Sequence, residues 1–194
     1  MSTVPLAGLG RSIIFVRHGQ STWNVQGRVP GQGNPPLTIL GVQQAEAAAV
    51  QIEEHAPVRI ISSDLDRARR TAEIIGRRVG VPVEVDEALR EQSVGELTGA
   101  LSRTLQQVTP PLGVHLHEVR WGGGESVVDV YERVGDFFDS LADSPAGPVV
   151  IVSHGFTIQI ALTYLHGGSP YDVDWATLPN GGIVTVEPSG VQVT

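Results

Sequence analysis

The sequence predicts an α/β fold, a single domain of three α/β/α layers with helices packed on both faces of a mostly parallel sheet. Three observations predict it. Short β-branched and aromatic runs alternate along the chain with longer segments of helical apolar spacing. The first run, Ile13-Ile14-Phe15-Val16, is apolar at every position, as a strand buried on both faces should be. No repeat, low-complexity tract or linker interrupts the 194 residues, and their 41% hydrophobic content is enough to bury one sizeable core. Residues 1–10, MSTVPLAGLG, read as a flexible tail, and residues 11–194 as the domain.

Residues 13–16 form the first strand. The loop GRVPGQGNPPLT is rich in glycine and proline and ends at Thr38, whose hydroxyl caps a helix reaching about residue 55. Val42, Ala45, Ala49 and Ile52 recur on one face of that helix. Residues 58–62 read as the second strand and residues 66–79 as a helix stopped at Gly80. Residues 81–85 make a short strand that belongs at an edge, because Pro82 brings no N–H to a ladder. From 86 to 124 the pattern is irregular and predicts only short helical pieces. Ser126 with Asp129 marks a helix start, followed by Val127, Val130, Val134, Phe137, Phe138 and Leu141 at helical spacing. Residues 148–152 are a strand, and 156–165 a helix ended by Gly167-Gly168. Residues 183–186 close the sheet, and 191–194 add an edge.

Charge and composition exclude several classes. Thirteen basic against 21 acidic residues leave a formal net charge of −8, which argues against a nucleic-acid or anionic-membrane surface. Any attraction for an anionic ligand must come from a local pocket. The chain has no cysteine, so disulfides and thiolate metal sites are excluded. No run has transmembrane length and the first residues lack the apolar core of a signal peptide, so a cytoplasmic setting is expected.

In such sheets ligands sit beyond the carboxyl ends of the strands. Three strands carry polar signatures there: Arg17-His18-Gly19, Ser62-Ser63-Asp64-Leu65-Asp66-Arg67, and Ser153-His154-Gly155. Two imidazoles and two guanidiniums can therefore converge on one crevice of an otherwise acidic protein. A guanidinium is a planar fork that contacts a phosphate in bidentate fashion and keeps its charge. A phosphoryl group is the natural occupant.

RHGQSTWN, SSDLDRARRTA, LREQSVGELTG and VSHG, in that order, resemble the histidine phosphatase superfamily, the phosphoglycerate mutase-like family, from about residue 13 to residue 186. The resemblance implies a phosphoglycerate mutase-like fold and a catalytic set of His18, Glu91, Arg17, Arg67 and His154. His18 would attack phosphorus as a neutral imidazole and form a phosphohistidine, which splits one displacement into two. That requires an acceptor for its other ring nitrogen, and a backbone carbonyl of the following turn can serve. Arg17, Arg67 and His154 would bind the phosphoryl oxygens. Asn24 would add a neutral donor, and Gln32 and Gly155 complete the implied substrate-binding set. Glu91 would protonate the leaving oxygen, with a pKa raised by partial burial. Each has a plainer alternative: His18 a core histidine, Arg67 an ion pair with Asp64 or Asp66, Glu91 an ion pair with Arg90. The acid loop departs from the family pattern at Leu97-Thr98-Gly99, where relatives usually show Trp-Glu-Gly.

Other candidates weigh less. His115 and His117 have a spacing that suits a metal, but without a further ligand pattern they read as lid residues touching substrate; no metal and no cofactor is expected. Trp23 is placed under the nucleophile loop and Trp121 at the wall of the substrate pocket. GGGES resembles a phosphate cradle, against which a flexible loop ending in a helix cap is the preferred reading, with Glu125 or Ser126 supporting the site. The expected function is metal-independent hydrolysis of a small phosphorylated metabolite, a sugar phosphate or phosphoglycerate derivative. A phosphoglycerate mutase, a phosphoprotein phosphatase and a binding module without turnover remain as alternatives. The 100–121 segment is short, and its cations are only Arg103 and Arg120, which favours a site open to water and hydrolysis. The expected partner is a small phosphomonoester, with no nucleic acid and no membrane; a homodimer is left open.

Overall fold

The computed structural model describes residues 10–106, 109–142, 147–188 and 190–192. The tail expected over residues 1–10 lies outside these except for Gly10, as do positions 193 and 194 of the last expected strand. Six strands form one sheet: β1 (Ile13–Arg17), β2 (Arg59–Ser62), β3 (Val83–Val85), β4 (Val149–Ser153), β5 (Ile183–Glu187) and β6 (Gly190–Gln192). Their order is β3-β2-β4-β1-β5-β6. The first four in this order are parallel; β5 pairs antiparallel with β1, and β6 antiparallel with β5. The sheet is mostly parallel, as expected, with β3 at one edge.

The side-chain alternation of β1 divides the core in two. Ile13 and Phe15 face a cluster with Val130, Val134, Phe138, Ile158 and Leu165, which belong to α4 (Val127–Ala142) and α5 (Gly155–Leu165). Ile14 and Val16 face a second cluster with Ala48, Ile52, Ala68, Ala72 and Ile75 from α2 (Ile39–Glu53) and α3 (Asp66–Val79). The result is three layers. Each fully buried aliphatic or aromatic side chain of β1 contributes about 1.5–3 kcal/mol, and all four are completely buried.

Local signals set the helix ends. The Thr38 hydroxyl accepts the Gly41 N–H and caps α2, and Gly80, at φ 73°, ends α3 in the left-handed region. The buried face of α2 is Gly41, Ala45, Ala48, Ala49 and Ile52, whereas Val42 is only half-buried. A five-residue helix, α1 (Thr22–Gln26), was not expected from the sequence. Ser21 and Asn24 close a capping box at its start. Between β3 and α4 there are five single-turn 3₁₀ helices, in keeping with the irregular pattern over 86–124. Among the described residues no helix is long and apolar enough to cross a membrane.

One close approach fixes the loop after β1. A Cβ added at Gly19 would collide with the Gly41 carbonyl, and one added at Gly41 would collide with the Gln20 carbonyl. The first turn of α2 thus lies directly on the backbone of residues 19 and 20. Gly41→Ala should cost about 1–3 kcal/mol by overpacking, lowering Tm by roughly 2–4 °C per kcal/mol, and should also lower any activity that depends on the loop after β1 by shifting it. Gly80→Ala, where nothing lies within 4 Å of the added carbon, should lose roughly 1–2 kcal/mol through left-handed strain with turnover intact. Thermal melts and steady-state rates on both variants check this, and equal activity losses would count against the close-packing account.

Candidate active site

β4 lies between β1 and β2, with Arg17 opposite Ser153 and Ser62 opposite Val152. His18, Ser63 and His154 therefore leave three adjacent strands at nearly one level. The ladder continues one step past the strands, where His18 N–H donates to Ser153 O and Ser63 N–H to Val152 O, both at 3.0 Å. From the β5 side, Gly181 N–H donates to Arg17 O at 3.0 Å and Asn180 Nδ2 to His18 O at 3.1 Å. The Gly19 N–H donates to Thr71 Oγ1 of α3 at 3.1 Å. The backbone that carries Arg17 and His18 is held from both neighbours.

His18 is buried, and two hydrogen bonds define its tautomer. Its Nδ1–H donates to Gly19 O at 2.7 Å, and its Nε2 accepts from Arg67 Nε–H at 3.2 Å. Nε2 therefore carries the lone pair. Burial, then the Arg67 charge, and to a lesser degree Arg17 push the imidazole pKa down to about 3 against the pull of the Gly19 carbonyl. At neutral pH the ring is neutral, with its lone pair on Nε2. The carbonyl acceptor required by the sequence reading is present.

Arg67, the second residue of α3, is completely buried. Besides His18 it donates from NH1 to Gly33 O at 2.6 Å and from NH2 to Gly31 O at 2.8 Å. Burial lowers its pKa to about 10, with Glu91 opposing and Arg17 adding to the shift, so it remains charged at neutral pH. The alternative ion pair with Asp64 or Asp66 does not form. Asp66 pairs with Arg69 at 2.8 Å, and Asp64 with Arg90.

Arg17 donates from NH1 to Leu178 O at 2.5 Å, while its Nε is buried with no partner among the described residues. A Cβ on Gly155 would stand 3.2 Å from that Nε, so a glycine there leaves the guanidinium its place. His154, fully buried, binds Ser63 Oγ through Nε2 at 2.9 Å and leaves Nδ1 without a partner. Its ring lies 5.1 Å from that of His18, centroid to centroid. Burial, then the Arg67 charge, holds it well below the usual imidazole range. Two partnerless buried nitrogens thus border the histidine nucleus of the site.

Glu91 lines a cavity of about 240 Å³ together with Arg17, Gly155, Phe156 and Trp175. Its Oε1 accepts from the Gln92 N–H at 3.0 Å and from Thr157 Oγ1 at 3.2 Å. The neighbouring Arg90 turns away, forming a fork with Asp64 at 2.8 and 2.5 Å and an ion pair with Glu87 at 3.1 Å. The ion pair between Arg90 and Glu91 is absent. The loop backbone is clamped instead by Arg133 of α4, which donates to Ala88 O at 2.6 Å, to Arg90 O at 2.8 Å and to Glu125 Oε1 at 2.7 Å. Glu125 in turn accepts the Ser93 N–H at 2.7 Å.

The remaining expected residues take other places. Gln32 donates its amide to Glu91 O at 3.2 Å and so braces the acid loop. Asn24 Oδ1 accepts from the Ser21 N–H and the Ser21 Oγ–H, each at 2.9 Å, in the α1 capping box. Ser126 and Asp129 form the cap at the start of α4, and the glycines before it pack backbone on backbone, so that a Cβ at Gly124 would strike Ser93 O. GGGES is a tight loop and a cap. Trp23 lies against Gly33 and Gly99. Trp121 and His117 line a second cavity, and the His115 and His117 rings stand 5.0 Å apart, with Tyr171 4.9 Å from the first. Among the described residues no three His, Cys, Asp or Glu are grouped to hold a metal ion.

Sequence reasoning passed over Arg133, Thr157, Asn180 and Trp175. Ser63 stood inside a quoted motif, and Asn180 in a turn-forming Pro-Asn-Gly-Gly. Arg133 sits between Val130 and Val134 on an apolar helix face, and that position in a core pattern was the one available signal.

The sequence model of the histidine phosphatase superfamily, branch 1, matches residues 13–194. The chain is 38% identical over 185 residues to a glucosyl-3-phosphoglycerate phosphatase of Mycolicibacterium vanbaalenii, covering 89% of this chain and 80% of that protein. It is 33% identical to a probable phosphoglycerate mutase GpmB of Yersinia enterocolitica, covering 82% and 76%. Among solved structures, a mycobacterial glucosyl-3-phosphoglycerate phosphatase complexed with VO3 superposes with a TM-score of 0.80 at 31% identity, covering 94% of this chain and 95% of that one. Sequence, fold and the meeting of these side chains agree: the chain belongs to the histidine phosphatase superfamily, branch 1.

Proposed function

We propose that the chain hydrolyses a small phosphorylated metabolite, a sugar phosphate or phosphoglycerate derivative, through a phosphohistidine on His18. The observation that carries the reading is the locked tautomer: Nδ1–H is spent on Gly19 O, and the Nε2 lone pair points at the Arg67 guanidinium. In the first step Nε2 bonds to phosphorus while the bond from phosphorus to the ester oxygen breaks. Glu91, protonated, gives its proton to that oxygen, and the alcohol leaves. In the second step a water attacks phosphorus, its proton passes to the Glu91 carboxylate, and the nitrogen–phosphorus bond breaks to release phosphate.

Arg17 Nε and His154 Nδ1, buried and without partners, are suited to two of the phosphoryl oxygens. Arg67 supplies fixed positive charge beside the attacking nitrogen. Hydrolysis fits better than mutase chemistry, because the lid carries only two arginines among its described residues, Arg103 and Arg120, and the second is already paired with Asp129 at 2.6 Å.

His18→Ala should abolish turnover and leave a folded protein. Rapid quenching of the unmodified enzyme with substrate should yield an acid-labile phosphorylated peptide containing His18, and near-normal activity in the variant would exclude the covalent route. Two guanidiniums bring to the site the positive charge that Mg²⁺ supplies in many phosphoryl-transfer sites. Activity should therefore survive exhaustive EDTA treatment, and a loss restored by one divalent ion would overturn this reading. Glu91→Gln should slow phosphorylation by sugar or glycerate esters by about 10²–10⁴ but slow it far less with nitrophenyl phosphate, whose leaving group needs no proton. Single-turnover rates with both esters decide it: equal losses would reduce Glu91 to a residue that only shapes the pocket.

A further inference from the structure

We infer that the cavity under the 116–121 segment is a leaving-group subsite for an uncharged moiety with an apolar face, such as an alkyl chain or a ring. This rests on the phosphatase reading above and narrows it: a phosphoglycerate derivative would have to keep its carboxylate outside this cavity, and only an uncharged part of the departing alcohol would enter it. The cavity measures about 240 Å³ and is walled mainly by Val94, Leu97, Leu116, Trp121, Phe156 and Trp175. It adjoins the catalytic cavity directly, since Phe156 and Trp175 line both and their rings stack 4.5 Å apart. Gln92, next to Glu91 in the chain, lines it as well. An alcohol whose oxygen lies at the Glu91 carboxylate has only this aromatic partition between it and the apolar space.

The electrostatics exclude a charged occupant. No aspartate, glutamate or arginine lines the cavity. Of the arginines in the segments around it, Arg28 donates to Gly99 O at 2.6 Å, Arg120 pairs with Asp129, Arg133 holds the acid loop, and Arg103, exposed, lies outside the lining. His117 is the one titratable group in the lining, and burial followed by the charge of His115 lowers its pKa, which leaves it neutral at neutral pH. A carboxylate placed here would lose its hydration and gain no counter-charge. An apolar group gains contact instead. Leu116 and Trp175 are 45% and 42% exposed, so an occupant would cover apolar surface that now meets solvent. A dry apolar cavity of about 150 Å³ already accepts a benzene ring, so this one has room for a ring or a six-carbon chain.

The test is a series of linear alkyl phosphates from ethyl to hexyl, with 6-phosphooxyhexanoate as the charged counterpart of the longest. Phosphate release from the full chain is read as kcat/KM. All members have a similar alkoxide leaving group, so acid–base chemistry stays constant and only the subsite is varied. The expected gain is about threefold to fourfold per buried methylene, with the carboxylated ester well below hexyl phosphate. Leu116→Arg, at an exposed position, should flatten the chain-length gain and raise the carboxylated ester relative to hexyl, each read as a ratio to ethyl phosphate on the same variant. Rates independent of chain length, or a preference of the unmodified enzyme for the carboxylated ester, would overturn the subsite while nitrophenyl phosphate hydrolysis kept the phosphatase reading intact. No phosphate release from any ester, nitrophenyl phosphate included, would overturn both.

Discussion

The buried guanidinium of Arg67 is the interaction on which the rest of the site depends. Burying a cation costs several kcal/mol unless its donors are matched, and here each of its three nitrogens donates to a different acceptor: His18 Nε2, Gly33 O and Gly31 O. These acceptors belong to separate stretches of chain, the end of β1 and the loop over residues 28–36. Removing the guanidinium would release both and would also free the tautomer of His18. The negative charge of Glu91 favours the cationic form from across the cavity. The proposed nucleophile, its orienting charge and the proposed acid are thus coupled, although they lie far apart in the sequence.

The two faces of the sheet contribute different parts. The α2 and α3 face supplies Arg67, Thr71 and the Gly41 backbone, which together hold the loop after β1. The α4 and α5 face supplies Arg133, Thr157 and the neighbourhood of His154, which hold the acid loop. Arg133 and Glu125 reach four backbone groups of that loop: the carbonyls of Ala88, Arg90 and Gln92's neighbour Glu91, and the N–H of Ser93. The acid is positioned mainly through its backbone, and its carboxylate keeps only two contacts, with the Gln92 N–H and Thr157. The other carboxylate oxygen, Oε2, lies outside these contacts, which suits the proton transfer proposed for Glu91.

Phosphatases and probable mutases both appear among the relatives, and the centre described here is chemically competent for the first half of either reaction. Among its described residues the 102–123 segment forms single-turn helices, and its side chains meet 171–175 through rings, His115 with Tyr171 and His117 with Trp175, while Trp175 stacks in turn on Phe156 of α5. Such a cover is held by aromatic contact and by the Tyr171–Glu118 hydrogen bond at 2.7 Å. It brings aromatic and apolar surface to the departing alcohol and little charge.

By itself the sequence determined the layered α/β fold, most helix and strand positions, and the strand-end clusters at residues 17–19, 62–67 and 153–155. These are legible because they follow from local periodicity, caps at Thr38 and Ser126, and stops such as Gly80, all of which act within a few residues. The short α1 escaped, since its Ser21–Asn24 box precedes no apolar repeat to announce a helix. Tertiary structure alone decided which partner each charged or polar side chain took. It gave Arg90 to Asp64 and freed Glu91, set Arg67 on two glycine carbonyls, turned Asn24 and Gln32 toward backbone and caps, and recruited Arg133, Asn180 and Thr157. The reason is physical: a buried donor takes whichever acceptor the packed backbone brings within about 3 Å, and apart from Asn24, whose partner Ser21 is three residues away, that acceptor stands 26 to 162 residues away in these cases.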